Sequence, residues 1–506
     1  MLAGCSLDKL SSDNGYGDSQ SFMAMEEEAL LDYEVPVSTP HILVDEVGYL
    51  TGSSKVAFFY GNTLPETFDV IDASSGETIY TGSTELKGHS DEYDADIAYG
   101  DFSDYGTEGT YYIQAEYLGR SYEFSIGNDL YGDIFNEALK TYYYNRCGVT
   151  LTADTAGDNA HNACHTEQGV LRDDITLKKD VAGGWHQDST GSKDIVTQGS
   201  VLGTMLLAYE FYPSAFKDDT GIPESNNDIP DILDEAKFEA DWLLKMQDDE
   251  TGAVYSGITV SEGGTNEVIY IESASSESSY AFAYAMSKFS YLYKDYDMEY
   301  ATECLRAADR AYSYASLNDE DKDTVSELKF AASAELYRAS GDAEYQKCAE
   351  EYLSSYDYSK EPTGFALFGM LTYINTKQKV SVDLCDGIMK TIMKEAENIS
   401  SASRVGALLV PETEVKDDTS SLLDKMIIMT VTDYVITNRE YDTIIENYLH
   451  YFLGRNFNSI SYLDNAGTYS YKEINESLGL MKQFESDSKL IFMLSKIISG
   501  STDKEE

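Results

Sequence analysis

The chain has 506 residues, with 36 Lys+Arg against 90 Asp+Glu and a formal charge of −54. A field of that sign repels phosphate, and no basic cluster offsets it locally, which excludes nucleic acid and an anionic membrane surface as partners. At 42% hydrophobic and 12% aromatic, the sequence can still bury a large core, and its length points to more than one domain. Six cysteines are too few for a disulfide scaffold. No run of about 18 apolar residues is present to span a membrane as a helix.

Residues 1–38 open on Leu2-Ala3-Gly4-Cys5 and continue as a Ser/Asp/Gly/Glu-rich stretch with little apolar periodicity. The four residues resemble the lipobox at which a bacterial lipoprotein is cut and lipidated on Cys5, and the acidic stretch reads as a flexible tether. The apolar leader that should precede a lipobox is not in the chain; either it was trimmed or the match is chance. The first reading makes this an extracellular, cell-surface lipoprotein that meets the membrane only through its lipid anchor.

From residue 39 to 127 the pattern has period two, as in Lys55–Tyr60, Thr67–Ile71 and Thr110–Ala115, with turn signals between, which predicts a small antiparallel β-sandwich. After Asp129 the period becomes 3.6. Its clearest stripe is Ile232, Leu233, Ala236, Ala240, Leu243 and Leu244, with Pro230 in the first turn and Asp231, Asp234 and Glu235 at the positive helix end. Twelve such helices are predicted, near 130–145, 196–212, 229–247, 277–294, 297–316, 325–340, 343–355, 365–376, 381–398, 420–437, 441–453 and 480–498. Helices in short-looped pairs without intervening strands predict a mainly α domain over 128–500, an (α/α)6 barrel of six hairpins, followed by a 501–506 tail.

Several motifs occur in order along the chain: Val47-Gly48-Tyr49, Asp101-Phe-Ser-Asp104, Gly109-Thr-Tyr111, Tyr143-Tyr-Asn-Arg-Cys147-Gly148, Cys164-His165-Thr166, Gly183-Gly184-Trp185-His186, Asn227 through Glu235, Trp242 through Gln247, and Phe452-Leu-Gly-Arg-Asn456. Together they resemble glycoside hydrolase family 9, the inverting cellulases with an N-terminal Ig-like domain. The resemblance implies an Ig-like β-sandwich packed on an (α/α)6 barrel and β-glucan or a related polysaccharide as partner.

Inverting hydrolysis needs a carboxylic acid for the leaving oxygen and a carboxylate base for the attacking water. In the family, two Asp follow the Gly-Gly-Trp-His motif; at those positions stand Gln187 and Thr190, and neither an amide nor an unassisted hydroxyl is a base. Asp188 and Asp194 are the nearby carboxylates. The family's acid precedes the last helix after a His-His-Arg loop that this chain lacks. An ungapped register puts Met481 at the acid position, whereas an insertion would bring Asn475-Glu476 there. Trp185 is expected at the cleft mouth as a sugar platform, and Trp242 in the core.

Cys147, Cys164, His165 and His186 match positions that carry structural zinc in part of the family, an S2N2 set that zinc favours. The alternative is four unrelated residues with a Cys147–Cys164 disulfide. Cys304, Cys348 and Cys385 sit in helical stripes as buried thiols. Family members also bind calcium, for which no residue set stands out. Two functions follow: a glycan-binding, non-hydrolytic protein of polysaccharide processing, or an active endo-β-1,4-glucanase using Asp188 and Glu476.

Overall fold

The computed structural model describes residues 40–90, 94–261, 268–319, 323–412, 418–436, 438–463, 466–467 and 484–502. The chain divides into two units, Met1–Thr39 and Pro40–Glu506, and all described residues belong to the second. Cys5 and the tether lie outside them, as do Asn475, Glu476 and Met481.

The N-terminal part is the expected sandwich, built from β1 (Ile42–Leu43), β2 (Gly48–Leu50), β3 (Val56–Gly61), β4 (Thr67–Asp72), β5 (Thr78–Ser90), β6 (Ala95–Asp101), β7 (Gly109–Ala115), β8 (Gly119–Arg120) and β9 (Phe124–Gly127). The long β5 serves both sheets: its first half pairs with β4, its second with β6, and the register shifts between Leu86 and Gly88. Period two then sorts the side chains of β3. Ala57 and Phe59 fill the sandwich, whereas Val56 and Phe58 join the core shared with the helical part. The joint between the two parts is buried and polar at its centre: Asp45, fully buried, meets His450 Nδ1 at 2.7 Å, and Tyr131 donates to the Gly48 carbonyl at 2.8 Å. Burial pushes the Asp45 carboxyl up and the His450 imidazole down, and the buried Arg455 acts on both.

Thirteen α-helices follow among the described residues: α1 (Gly132–Tyr144), α2 (Ala153–Ala156), α3 (Ile195–Phe211), α4 (Asp231–Lys245), α5 (Ser276–Tyr293), α6 (Met298–Leu317), α7 (Asp323–Ser340), α8 (Ala343–Ser355), α9 (Gly364–Asn375), α10 (Val382–Val405), α11 (Thr419–Val435), α12 (Arg439–Phe452) and α13 (Phe484–Thr502). Apart from the single turn α2, they lie where the spacing predicts, and they form the (α/α)6 barrel. The inner ring is α3, α5, α7, α9, α11 and α13. Helices α3 and α5 are buried on almost every side, while an outer helix such as α6 buries one stripe, Ala301, Cys304, Ala308, Ala311 and Ala315. Successive inner helices pack closely from α3 round to α9, and α11 packs on α13 and α13 on α3; α9 and α11 stand apart. No helix among the described residues is long and apolar enough to cross a membrane.

A buried ionic ladder links four inner helices. Glu210 on α3 pairs with Lys288 on α5 at 2.8 Å and with Arg338 on α7; Lys288 also reaches Glu335 on α7 at 3.2 Å. On α9, Thr372 donates to Glu335 at 2.6 Å and Asn375 to Glu210 at 2.9 Å. Burial opposes ionisation of Glu210, yet Lys288 and Arg338 hold its carboxyl down at about 2.

The sequence reading missed a small sheet beside the barrel: β10 (Gly169–Leu171), β11 (Lys178–Lys179), β12 (Lys193–Asp194), β13 (Gly257–Val260) and β14 (Ile269–Ile271), in the order β11-β10-β14-β13-β12. Its strands are two to four residues long, too short to show alternation. It flanks the loop that leads into α3.

Candidate active-site cleft and metal centre

Helices that alternate in direction put the N-termini of the inner ring at one end, and the long loops 181–194 and 255–275 lead into that end. The chain leaving α1 clips to the first of these loops: Cys147 N–H donates to the Gly184 carbonyl at 2.8 Å and His186 N–H to the Asn145 carbonyl at 2.8 Å. This sets Cys147 beside His186. Cys164 and His165 arrive from the loop after α2, with His165 in the left-handed region at φ 47°. Gly191 backs the His165 ring so closely that a Cβ there would stand 2.4 Å from it.

The four ligand atoms converge. Cys147 and Cys164 Sγ are 4.0 Å apart, Cys147 Sγ and His165 Nδ1 3.6 Å, Cys164 Sγ and His186 Nε2 3.3 Å, and the two imidazole nitrogens 3.3 Å. Bond lengths of about 2.3 Å for Zn–S and about 2.0 Å for Zn–N require tetrahedral edges of roughly 3.8 Å between sulfurs, 3.5 Å for S–N and 3.3 Å for N–N. The residues therefore fit a zinc ion with little movement. The sulfur separation is about twice a disulfide bond, so the disulfide alternative is set aside, and both thiols are free. Their mutual contact splits them, drawing the Cys164 thiol down to about 6 and pushing Cys147 up.

Trp185 is not at the cleft mouth. It is 0% exposed, and its indole N–H donates to Glu235 Oε1 at 2.6 Å while its ring packs on Tyr142, centroids 4.9 Å apart. Its backbone N–H donates to Glu239 Oε2 at 2.9 Å. A ring enclosed in this way offers no face to a sugar; the motif turns it inward because Glu235 and Glu239, on the buried face of α4, are its acceptors. Arg146 completes this cluster, bonded to Glu235 at 2.9 Å and to Glu224 at 2.9 Å. Burial pushes Glu239 up to about 8. The sequence places Arg146 within a motif and Glu235 at the positive end of a helix, and nothing local shows that an Arg and a Glu 89 residues apart meet. Trp242 is core, as expected, with its N–H on the Val181 carbonyl at 3.1 Å.

The loop after Trp185 carries Gln187 and Thr190, the positions where the sequence resemblance expects the base carboxylates. Gln187 Oε1 accepts from the Asp194 backbone N–H at 3.0 Å, and Thr190 Oγ1 donates to Asp188 Oδ1 at 2.6 Å. Asp194 is spent on the start of α3, accepting from Thr197 N–H at 2.9 Å. Asp188 and Asp194 are both exposed, Asp188 accepting from Thr190 N–H at 2.8 Å, and with Gln187 and Glu272 they line a cavity of about 160 Å³. Glu272 is neutralised by Arg172 at 2.6 Å, which draws its carboxyl down. Glu476 and Met481, the two candidates for the acid position, lie outside the described residues.

A second acidic set was also missed. Asp218, Asp231 and Asp234, around the start of α4, each offer an oxygen within 4.8 Å of the others. Asp231 Oδ2 accepts from Thr220 N–H at 2.7 Å and Ser225 Oγ at 2.8 Å, while its buried Oδ1 has no hydrogen-bond partner among the described residues. Of the remaining cysteines, Cys304 is buried, and Cys348 and Cys385 are only partly so.

The profile of glycosyl hydrolase family 9 matches residues 131–487, and that of the cellulase N-terminal Ig-like domain matches residues 37–120. Endoglucanase D of Acetivibrio thermocellus is 28% identical over 466 residues, covering 84% of this chain and 73% of that protein. A cellodextrinase of Butyrivibrio fibrisolvens is 26% identical over 477 residues, covering 85% and 86% respectively. The solved Bacteroides ovatus family 9 structure superposes with a TM-score of 0.81 at 22% identity, over 91% of this chain and 99% of that one, a likeness of fold. With the profile spanning most of the chain and both domains in the order the motifs give, this protein belongs to glycosyl hydrolase family 9.

Proposed function

We propose that the protein binds β-1,4-glucan or a related polysaccharide without turning it over, as a glycan-binding member of the family. One observation carries this: Gln187 and Thr190 stand where the base carboxylates are expected, and both are committed to hydrogen bonds within their own loop. A general base contributes roughly 10²–10⁴-fold, so its loss alone lowers hydrolysis by about that factor, and the missing His-His-Arg loop lowers it further. The relatives named endoglucanase and cellodextrinase favour the other reading, hydrolysis by Asp188 with Glu476, and the assay separates the two. Reducing-sugar release from soluble β-1,4-glucan is expected at background, with binding retained. Restoring Gln187→Asp and Thr190→Asp is expected to add little, because the His-His-Arg loop is still missing. Robust release by the unaltered protein, abolished in Asp188→Asn, overturns the reading.

Two ions belong to the proposal. Zinc at Cys147, Cys164, His165 and His186 is structural, because four protein ligands close its coordination and leave no position for water. It would staple the end of α1 to the loop carrying Gln187. Calcium is the ion suited to Asp218, Asp231 and Asp234, an all-oxygen set in which the unpartnered Asp231 Oδ1 offers a lone pair. A lipid on Cys5 would hold the protein outside the cell on the acidic tether; the support is the Leu2-Ala3-Gly4-Cys5 sequence, and a Cys5→Ala protein made behind a lipoprotein leader should move to the soluble fraction.

A further inference from the structure

Lys193 is 2% exposed, an ammonium group enclosed in the protein beside the metal ligands. It lies on β12, and Gly257 of the paired strand β13 approaches so closely that a Cβ there would stand 2.1 Å from the Lys193 carbonyl oxygen, a contact only glycine permits. Its Nζ donates to the Gly183 carbonyl, faces the Trp242 ring at 4.9 Å from the centroid, and donates to Cys147 Sγ. None of these partners is a carboxylate. Glu239, whose charge also acts on Lys193, spends Oε2 on the Trp185 N–H and has no hydrogen-bond partner for Oε1 among the described residues. We propose that Lys193 is the positioning residue of the metal centre, its ammonium being the donor that holds the Cys147 sulfur from behind while that sulfur binds zinc.

A buried charge is costly unless opposite charge compensates it, and the compensating electron density that Lys193 touches is on sulfur. When a cysteine binds zinc its proton leaves to solvent, and the sulfur keeps lone pairs that accept from an N–H group. A donor fixed on one side of that sulfur leaves a defined direction for the metal and draws off part of the negative charge that a set of crowded ligands concentrates. Cys147 is the ligand that needs such a donor, because it is buried and solvent cannot serve it, whereas Cys164 is partly exposed. The same strand carries the metal's grip onward. Asp194, the next residue, accepts from Thr197 N–H at the start of α3 and gives its own N–H to Gln187, so the metal, the Gln187 loop and the first inner helix meet on one short strand.

The inference rests on the zinc reading and goes beyond it, from the four ligands to the residue behind one of them. The full chain is stripped with a chelator and titrated with zinc against a chromophoric competitor, then with cobalt(II), whose sulfur-to-metal charge-transfer band reports the charge on the sulfur. Lys193→Met keeps the length of the side chain and its packing on Trp242 but removes the donor. It should weaken zinc about tenfold or more, the range for donors that support metal ligands. The cobalt band should move to longer wavelength, because the sulfur loses the cation that held its electrons. The zinc-free variant should unfold at a urea midpoint no lower than zinc-free wild type, since the substitution removes a buried charge. A lower zinc-free midpoint with an unmoved cobalt band would make Lys193 a structural residue only and overturn the proposal, as would wild-type zinc affinity in Lys193→Met; the zinc reading stands in both cases. If wild type takes up no zinc, both fall.

Discussion

Replacing Trp185 by Phe separates a structural indole from a sugar platform. The substitution removes one hydrogen bond and the five-membered part of the ring. The bond runs from Nε1 to Glu235 Oε1 at 2.6 Å, and a buried bond to a charged acceptor contributes about 1.5–3 kcal/mol. Glu235 is buried, and burial pushes its carboxyl up against the pull of Arg146, so loss of a donor leaves it less well satisfied. The lost ring atoms add roughly 40 Å² of apolar burial, about 1 kcal/mol at about 25 cal/mol per Å². The expected destabilisation is therefore about 2.5–4 kcal/mol, a large share of the roughly 5–15 kcal/mol typical of a domain. Urea unfolding measures it as a lower midpoint at constant slope. Trp242→Phe is the control: its N–H meets a neutral carbonyl at 3.1 Å, so the loss should be smaller. A Trp185→Phe protein as stable as wild type but deficient in glycan binding would refute the reasoning and return the indole to the cleft.

Metal analysis should find about one zinc per chain, lost in Cys164→Ala together with thermal stability; full retention in that variant sinks the site. Gly191→Ala keeps all four ligands, yet a Cβ 2.4 Å from the His165 ring at φ +79° should displace that ring and lower zinc retention. The Glu210 carboxyl, held at about 2 against an ordinary value of 4.5, makes its contribution above pH 4.5 and loses it as pH falls from there toward 2. Urea midpoints between pH 7 and pH 3 should therefore fall less steeply in Glu210→Gln than in wild type, from a lower starting stability at pH 7; an unchanged slope would contradict the pairing.

Periodicity carried most of the architecture, because a helix repeats its apolar face over many turns and a strand over several pairs; the stripe from Ile232 to Leu244 and the alternation along β3 are both long enough to read. The sheet β10–β14 was beyond this signal, its strands being held by register against each other and not by pattern. At the site, ligand chemistry was legible where rare residue types coincide, as in Cys147, Cys164, His165 and His186. Orientation was not. Nothing in Gly-Gly-Trp-His says which way an indole turns in a loop, and its direction is set by Glu235 and Glu239, 50 and 54 residues downstream, of which Glu235 reads locally only as a charge at the positive end of a helix. The open seam between α9 and α11 is likewise a property of packing between elements that each look ordinary alone.

Six hairpins of similar length and similar apolar stripes pose a sorting problem, since any inner helix offers a greasy face to any other. The ladder of Glu210, Lys288, Glu335 and Arg338 works as an address label on three of them, with Thr372 and Asn375 marking the fourth. A ring assembled out of order would bury one of these ions without its counter-charge, at a cost of several kcal/mol, whereas shape complementarity alone would discriminate weakly. The helices α11 and α13 carry a separate pairing, Lys496 with Asp433 at 3.1 Å and Lys489 with Asp424 at 2.5 Å, so the last two inner helices are matched to each other by charges of their own.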